Sequence, residues 1–223
     1  MASGVTSPRL AEIFKRENFV LRDDLQQDKR SALRAVAAMF DDHKVPYVIV
    51  GGLAVQLYNI QARPTVDVDV VSIRREFKRL MEAAPWEQYG FELVFDRRRY
   101  IKLKHVASNV DVDINVDTRL ATVLDTPTQE SIEGQPINFC AVAKLALTKL
   151  RTQRSDWPRD PVKRIQDRGD LAAALQAHPE IADDLRNDPL TNDEMRTILD
   201  GLLHELANAT SDELPEPEDG DDD

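Results

Sequence analysis

Helical and strand periods alternate along the first part of the chain. Between Asp24 and His43, apolar residues recur every three or four positions, which predicts a helix. The short apolar run from Tyr47 to Val50 predicts a buried strand that ends at Gly51-Gly52. Leu53 to Tyr58 predicts a short helix. Alternating residues from Thr65 to Val71 then predict a second strand.

The next segment predicts one helix followed by three closely spaced strands. Ser72 is expected to cap a helix that runs to Ala84. Strands are predicted from Phe91 to Phe95, from Tyr100 to Lys104 and from Val110 to Val116. The connections between them are too short for crossover helices, so these strands are expected to form a mixed or antiparallel edge of a sheet.

The rest of the chain has helical periodicity after a loop through Pro127, Gly134 and Pro136. Thr191 and Glu194 have the spacing of a capping box. The fold class is therefore expected to be α/β (α+β), a small mixed sheet flanked by helices and followed by a helical bundle. Further helices are predicted over residues 7–18, 141–154, 162–177, 179–187 and 191–208. The domains are expected to be an α/β domain at 1–136, a helical domain at 137–208 and a disordered acidic tail at 209–223.

Net charge depends strongly on the acidic end of the chain. The formal net charge is -11, and without the eight acidic residues between Ser211 and Asp223 it would be -3. Such a segment, almost free of apolar side chains, is expected to stay disordered. No stretch approaches the roughly 20 apolar residues of a spanning helix, and the first residues do not resemble a signal peptide. The single cysteine, Cys140, is expected in the core, and a cytoplasmic protein without a membrane partner is predicted.

Two aspartates on the second predicted strand are the main candidates for chemistry. Asp67 and Asp69 lie two residues apart, so their side chains leave the same face of the strand. Adjacent carboxylates raise each other's pKa unless a cation compensates them. A hard, oxygen-seeking ion such as Mg²⁺ is therefore expected between them.

A third carboxylate is expected from the strand around Val110. By the same alternation Asp111, Asp113, Asn115 and Asp117 share one face of this segment. Asp113 is favoured because it is central in the strand, and Asp111 is the close competitor. The alternative interpretation is that these acids line a solvated sheet face.

The glycine pair and Arg63 are candidates for contacting phosphate. Gly51-Gly52 lies between a strand and a short helix, where glycine allows close approach of the backbone to an anion. A plain tight turn is the alternative for the pair taken alone. Arg63 could pair with a phosphate through its guanidinium group or brace the loop, and the sequence leaves both open.

These residues resemble a known family. The segment VIVGGLAVQLYNIQARPTVDVDVV, residues 48 to 71, with a later strand that carries an aspartate, is similar to the minimal nucleotidyltransferases of the polymerase-beta-like superfamily. The closest resemblance is to the AbiEii/MenT-like group of bacterial toxin-antitoxin and phage-defence systems. The segment from Ala141 to Leu175 is similar to that family's helical region.

The resemblance implies a fold, a reaction and a set of ligands. It implies a nucleotidyltransferase fold and a Mg²⁺- or Mn²⁺-dependent, ATP- or other NTP-binding enzyme that transfers NMP to a hydroxyl of tRNA or protein, with a cognate antitoxin or toxin as partner. Many relatives have serine where this chain has Leu53, which favours the alternative of an inactive binding or regulatory, antitoxin-like protein. The resemblance assigns metal binding to Asp67, Asp69 and Asp113, and nucleotide contacts to Gly51, Gly52, Arg63, Thr65, Lys144, Asp167 and Asp170. For Asp167 and Asp170, which share a helix face, a surface ion-pair cluster is the alternative.

Two basic clusters favour an RNA acceptor. The first contains Arg97, Arg98, Arg99, Lys102 and Lys104, and the second contains Arg151, Arg154, Arg159, Lys163 and Arg164. Phosphate neutralisation by such residues is the usual source of nucleic-acid affinity. Solvation of a hairpin tip explains the first cluster equally well. The four histidines lack metal-ligand spacing, so zinc is not expected.

Overall fold

The structure is a computed structural model that describes residues 23–58, 60, 65–83 and 85–211. The predicted helix at residues 7–18, Arg63 and most of the predicted acidic tail lie outside the described residues. None of the helices in this part of the chain is both long enough and apolar enough to cross a bilayer.

Within the described residues, seven strands and seven helices follow one another in the order that the sequence pattern largely predicts. The strands are β1 (Tyr47–Ile49), β2 (Asp67–Ser72), β3 (Phe91–Arg97), β4 (Tyr100–His105), β5 (Val110–Asn115), β6 (Thr128–Ile132) and β7 (Gln135–Phe139). The helices are α1 (Asp23–Asp42), α2 (Gly51–Leu57), α3 (Arg74–Ala83), α4 (Val142–Thr152), α5 (Pro161–Ala177), α6 (Ile181–Asn187) and α7 (Asp193–Ser211). Short 3₁₀ segments lie at Pro85–Tyr89 and Thr118–Leu124.

All seven strands form one mixed sheet in the order β3-β4-β5-β2-β1-β7-β6. The three strands β3, β4 and β5 are antiparallel neighbours, as their short connections predict, and β6 and β7 form a second hairpin. The central pair β2 and β5 runs parallel, and so does the pair β1 and β7. This topology places β2 and β5 side by side although about 40 residues separate them in sequence.

The core lies where alternate apolar positions of the central strands meet the helices. Val68, Val112 and Ile114 are fully buried on β2 and β5, while the aspartates between them are partly exposed. The ring of Phe40 on α1 lies 5.8 Å from the ring of Phe77 on α3, which places these helices in one layer. Strict alternation thus assigns apolar residues to the core and carboxylates to the opposite face.

The structure corrects three local predictions. The segment expected to be a loop through Pro136 forms the hairpin of β6 and β7, and the predicted domain boundary between residues 136 and 137 falls inside β7. The hydroxyl of Ser72 donates to the carbonyl of Pro46 from within β2 and does not cap α3. The cap of α7 is Asn192, whose side chain accepts from the backbone amide of Met195, so Thr191 and Glu194 do not form a capping box. The division into domains itself stays a prediction.

Candidate functional site

Three aspartates converge on one face of the central sheet. Parallel pairing of β2 and β5 sets Asp69 directly beside Asp113, and Asp67 beside Asp111. Asp67, Asp69 and Asp113 each offer one carboxylate oxygen, and these three oxygens lie within 4.8 Å of one another. The predicted alternation therefore gathers three partly buried negative charges at one point. We call these residues the aspartate triad.

Asp111, the competing candidate for the third carboxylate, has a different partner. The ammonium of Lys102 lies 2.7 Å from Asp111 and 3.8 Å from Asp113. A side-chain hydrogen bond to Asp111 is the main reason why the pKa of Lys102 is raised. Lys102 on β4 thus neutralises the charge of Asp111, and Asp113 is the residue that faces Asp67 and Asp69.

The triad leaves ligand capacity that suits a hard cation. Oδ1 of Asp113 is buried and accepts no hydrogen bond from any described residue. Burial, followed by a hydrogen bond to Asp113, raises the pKa of the Tyr100 hydroxyl, so this residue stays neutral and adds no charge. Three clustered carboxylates with an unsatisfied buried oxygen fit a divalent ion that prefers oxygen ligands.

Both glycines of the Gly51-Gly52 pair allow close packing against the site. Gly51 has a φ of +65°, and a Cβ added there would lie 1.9 Å from a carboxylate oxygen of Asp69. A Cβ on Gly52 would lie 2.7 Å from the Cβ of Thr65. Any larger residue would push these side chains away, so the glycine pair sets how closely α2 approaches the triad.

Thr65 and Lys29 form hydrogen bonds at the start of β2. The hydroxyl of Thr65 donates to Oδ1 of Asp67 at 2.9 Å, which fixes that carboxylate. The ammonium of Lys29 on α1 donates to the carbonyl of Thr65 at 2.7 Å, and burial lowers the pKa of this lysine. Sequence reasoning missed Lys29 because it lies 36 residues from Thr65 along the chain.

The triad opens into a cavity of about 510 Å³ between the sheet and the C-terminal helices. Leu145, Thr148, Lys149 and Thr152 line it from α4, and their spacing of three, four and seven residues marks one helix face. Residues of the loop before α5 and of α5 itself close the far side, namely Trp157, Arg159, Lys163, Gln166 and Asp167. The described part of the chain thus places acids on one wall of the cavity and several cations on the other.

A second group of acids belongs to that far wall, and it is already neutralised. Lys149 lies 2.6 Å from Asp167 and 2.8 Å from Asp170, and Arg159 lies 2.6 Å from Asp167. Asp167 and Asp170 are almost fully buried, so the alternative of a surface ion-pair cluster is wrong about their location. Asp167 lines the cavity, whereas Asp170 is not among the lining residues. We call Lys149, Arg159, Asp167 and Asp170 the paired cluster.

Lys144, expected to contact a triphosphate, is directed elsewhere. Its ammonium donates to Asp188 at 2.7 Å, just beyond the end of α6, and it does not line the cavity. Burial acts to raise the pKa of Asp188, but hydrogen bonds from Lys144 and from the Leu190 amide lower this pKa overall. Lys149, which lies five residues later on the same helix, lines the cavity instead.

Arginines shape the wall around Trp157. The guanidinium groups of Arg119 and Arg151 lie 4.5 and 5.1 Å from the centre of the Trp157 ring. Arg164 donates to the carbonyls of Gln153, Arg154 and Trp157, so it orders the loop between α4 and α5. The second predicted basic cluster is therefore partly structural.

Comparison with known proteins identifies the fold. No family model and no curated protein sequence matches the chain. The crystal structure of an antigenic nucleotidyltransferase-like protein from Paracoccidioides brasiliensis is 20% identical, covers 83% of this chain and 91% of its own, and has a TM-score of 0.53. The solution structure of the antibiotic-resistance factor ANT(2'')-Ia is 17% identical, covers 83% and 99%, and has a TM-score of 0.48.

The first of these likenesses shows the fold and nothing further. The chain has a nucleotidyltransferase fold, an α/β arrangement of a mixed sheet flanked by helices, as predicted. This is the fold that the resemblance to the polymerase-beta-like superfamily implies. The narrower resemblance to the AbiEii/MenT-like group is not supported by these structures and stays a prediction.

Proposed function

We propose that this chain is a metal-dependent nucleotidyltransferase that transfers NMP from an NTP to a hydroxyl acceptor. The observation that carries the proposal is the aspartate triad, with one oxygen of each residue within 4.8 Å of the others and a buried oxygen of Asp113 left without a hydrogen bond. The triad opens into a cavity large enough for a nucleotide-sized ligand. The nucleotidyltransferase fold supports the same assignment, although a fold alone does not fix a function.

Asp67, Asp69 and Asp113 would hold Mg²⁺ or Mn²⁺. When bound, the ion would neutralise charge on the phosphates and help to align the reacting oxygens. The triad residues themselves are prepared for this task. Thr65 fixes the Asp67 carboxylate, and Gly51 lets α2 pack against Asp69.

The covalent step transfers the nucleotidyl group from pyrophosphate to the acceptor. The acceptor hydroxyl oxygen forms a bond to the α-phosphorus as the bond to pyrophosphate breaks, and the hydroxyl proton passes to the carboxylate of Asp113. Asp113 is assigned this proton because, by the family resemblance, this carboxylate both binds the metal and helps to activate the attacking hydroxyl. Charge on the leaving pyrophosphate would be neutralised by cations that line the cavity, namely Arg151 on α4 and Lys163 on α5. We assign these two residues the phosphate contact that the resemblance gave to Lys144.

Label transfer from nucleotides tests the proposal. Purified protein is incubated with Mg²⁺, each α-labelled NTP, and either total tRNA or a protein mixture, and labelled products are separated. Asp69→Asn is expected to lower transfer by at least about 100-fold, since metal stabilisation of the transition state is worth several kcal/mol. Asp111→Asn is the matched control because this acid lies on β5 but pairs with Lys102, and it should retain activity.

Two results would count against the enzyme. Equal transfer by wild type and Asp69→Asn would remove the triad from the reaction. Nucleotide binding without transfer to any acceptor would favour the inactive binding or regulatory protein. Leu53 supports that alternative only weakly, because its side chain is buried in the core and does not line the cavity.

A role as the toxin of a toxin-antitoxin or phage-defence system rests on the family resemblance. It predicts that induced expression of the wild-type chain arrests bacterial growth, whereas Asp69→Asn at equal abundance does not. Growth arrest by both forms would separate toxicity from nucleotide transfer.

A further inference from the structure

The row of residues that contains two of the triad aspartates continues across the sheet beyond the cavity. Asp69 on β2 pairs with Asp113 on β5, Asp113 pairs with Lys102 on β4, and Lys102 pairs with Phe95 on β3. Residues that are paired across neighbouring strands point to the same face. Phe95 thus lies on the same face as the triad, three strands away.

Two aromatic rings occupy this outer part of the face. The rings of Phe95 and Tyr100 lie 5.4 Å apart, and both residues are half-buried. The guanidinium of Arg97 lies over the Phe95 ring at 5.4 Å from its centre. Tyr100 also lines the cavity, so the aromatic pair connects the triad with the open edge of the sheet.

Several cations lie on β3, β4 and their connection in a chain of net charge -11, and Glu92 and Asp111 lie beside Lys104 on the neighbouring strands. Arg97 and Arg98 are exposed and Lys104 is half-buried. Within the described ranges, Arg98 and Lys104 have no carboxylate at ion-pair distance, whereas Lys102 pairs with Asp111. We call Phe95, Arg97, Arg98, Tyr100 and Lys104 the β3–β4 platform.

The edge itself is poorly suited to pairing with another strand. β3 is the outermost strand, but its register with β4 shifts between Leu93 and Phe95. Such a bulge twists an edge strand and hinders the addition of a further strand. Cations beside two neighbouring aromatic rings instead match a chain of phosphates and bases.

We infer that the β3–β4 platform binds single-stranded nucleic acid whose terminal hydroxyl reaches the aspartate triad. The inference rests on the proposed function, because it names the acceptor of that reaction. Three strand spacings separate Asp69 from Phe95, about 14 Å in total. That distance corresponds to about four stacked nucleotides. Bases next to the terminus would stack on Tyr100 and Phe95, while Arg97, Arg98 and Lys104 would neutralise phosphates.

Fluorescence anisotropy tests binding without any need for turnover. The full chain is titrated into labelled RNA and DNA single strands of equal sequence, about 12 nucleotides long, and into the RNA duplex. Phe95→Leu keeps an apolar side chain but removes the stacking ring, and it should weaken single-strand binding at least about fivefold. Arg98→Gln, on an exposed side chain, should weaken binding and lower the salt slope by about 1. Comparison of RNA with DNA shows which source of single strands is preferred.

The matched control is Arg186→Gln. Arg186 is a partly exposed arginine on α6 that pairs with Asp183 and Asp200, and its substitution should leave anisotropy unchanged. Circular dichroism verifies that Phe95→Leu is folded, and Arg98→Gln keeps the test independent of that variant.

The outcomes separate this inference from the proposed reaction. Single-strand binding that weakens in both platform variants supports the platform even if label transfer is never seen. The inference is overturned if the wild-type chain binds no single strand, or if both platform variants bind like wild type. Transfer to a protein acceptor alone, with no nucleic-acid binding, would also overturn it while leaving the proposed reaction in place.

Discussion

Two groups of carboxylates border the same cavity, and their charges are compensated in different ways. The paired cluster surrounds Asp167 and Asp170 with Lys149 and Arg159 at 2.6 to 2.8 Å. The aspartate triad brings three carboxylate oxygens within 4.8 Å, and the ammonium of Lys102 lies 3.8 Å from Asp113. Buried charges are stable when they are paired. The charges of the paired cluster are therefore compensated within the protein by Lys149 and Arg159, whereas the triad is suited to bind a cation.

The largest expected effect comes from breaking the paired cluster. Lys149→Met would leave Asp170 buried without its ammonium partner and Asp167 with only Arg159. We expect the free energy of unfolding to fall by about 3 to 5 kcal/mol in urea titrations. Lys163→Met, an exposed lysine of the same cavity, is the control and should change stability by less than about 0.5 kcal/mol. Equal stability of Lys149→Met and wild type would show that the cluster is not a structural unit.

Substitution of a glycine beside each group should change the free energy of unfolding in opposite directions. Gly51→Ala forces a side chain into a left-handed backbone and against Asp69, so we expect a loss of about 1 to 3 kcal/mol together with weaker divalent-ion binding. Gly169→Ala lies on α5 between Asp167 and Asp170, where a Cβ meets nothing within 4 Å. This change should stabilise the protein by about 0.5 to 1 kcal/mol. Thermal or urea unfolding of both variants checks the signs, and destabilisation by Gly169→Ala would contradict the packing described.

A smaller effect is expected at Asp117, a paired acid outside both groups. Hydrogen bonding to Arg119 is the main reason that the pKa of Asp117 is lowered, so the ionised form stabilises the folded state. Asp117→Asn should cost about 1 kcal/mol near pH 7. Because the folded pKa lies below the unfolded one, this difference should persist above about pH 4 and shrink as the pH falls further. Urea titrations at several pH values measure it, and a difference that grows in acid would have the wrong sign.

The sequence predicted the aspartate triad better than the paired cluster. Alternation on two strands is a local signal, and it was sufficient to place Asp67 and Asp69 on one face and to favour Asp113. The choice of Asp113 over Asp111 depended on Lys102, whose pairing is a property of the assembled sheet. Local patterns therefore located the triad, and tertiary contacts distinguished Asp113 from Asp111 as its third residue.

The paired cluster depends on contacts between residues that are distant in sequence. Lys144 and Lys149 lie on one helix, and no local pattern tells which of them reaches the cavity and which reaches Asp188. Lys29 reaches β2 from a helix 36 residues earlier. The hairpin of β6 and β7 was missed because Pro136 and the short apolar stretches resemble a loop.

Binding of a divalent ion tests the central claim most directly. Protein freed of metal with a chelator is titrated with Mn²⁺ and with Mg²⁺ by calorimetry, for wild type, Asp113→Asn and Asp111→Asn. We predict one site in the wild type, affinity lowered at least about 10-fold by Asp113→Asn, and no change with Asp111→Asn. Absence of binding to the wild type, or equal affinity in Asp113→Asn, would contradict the assignment of the triad as a metal site.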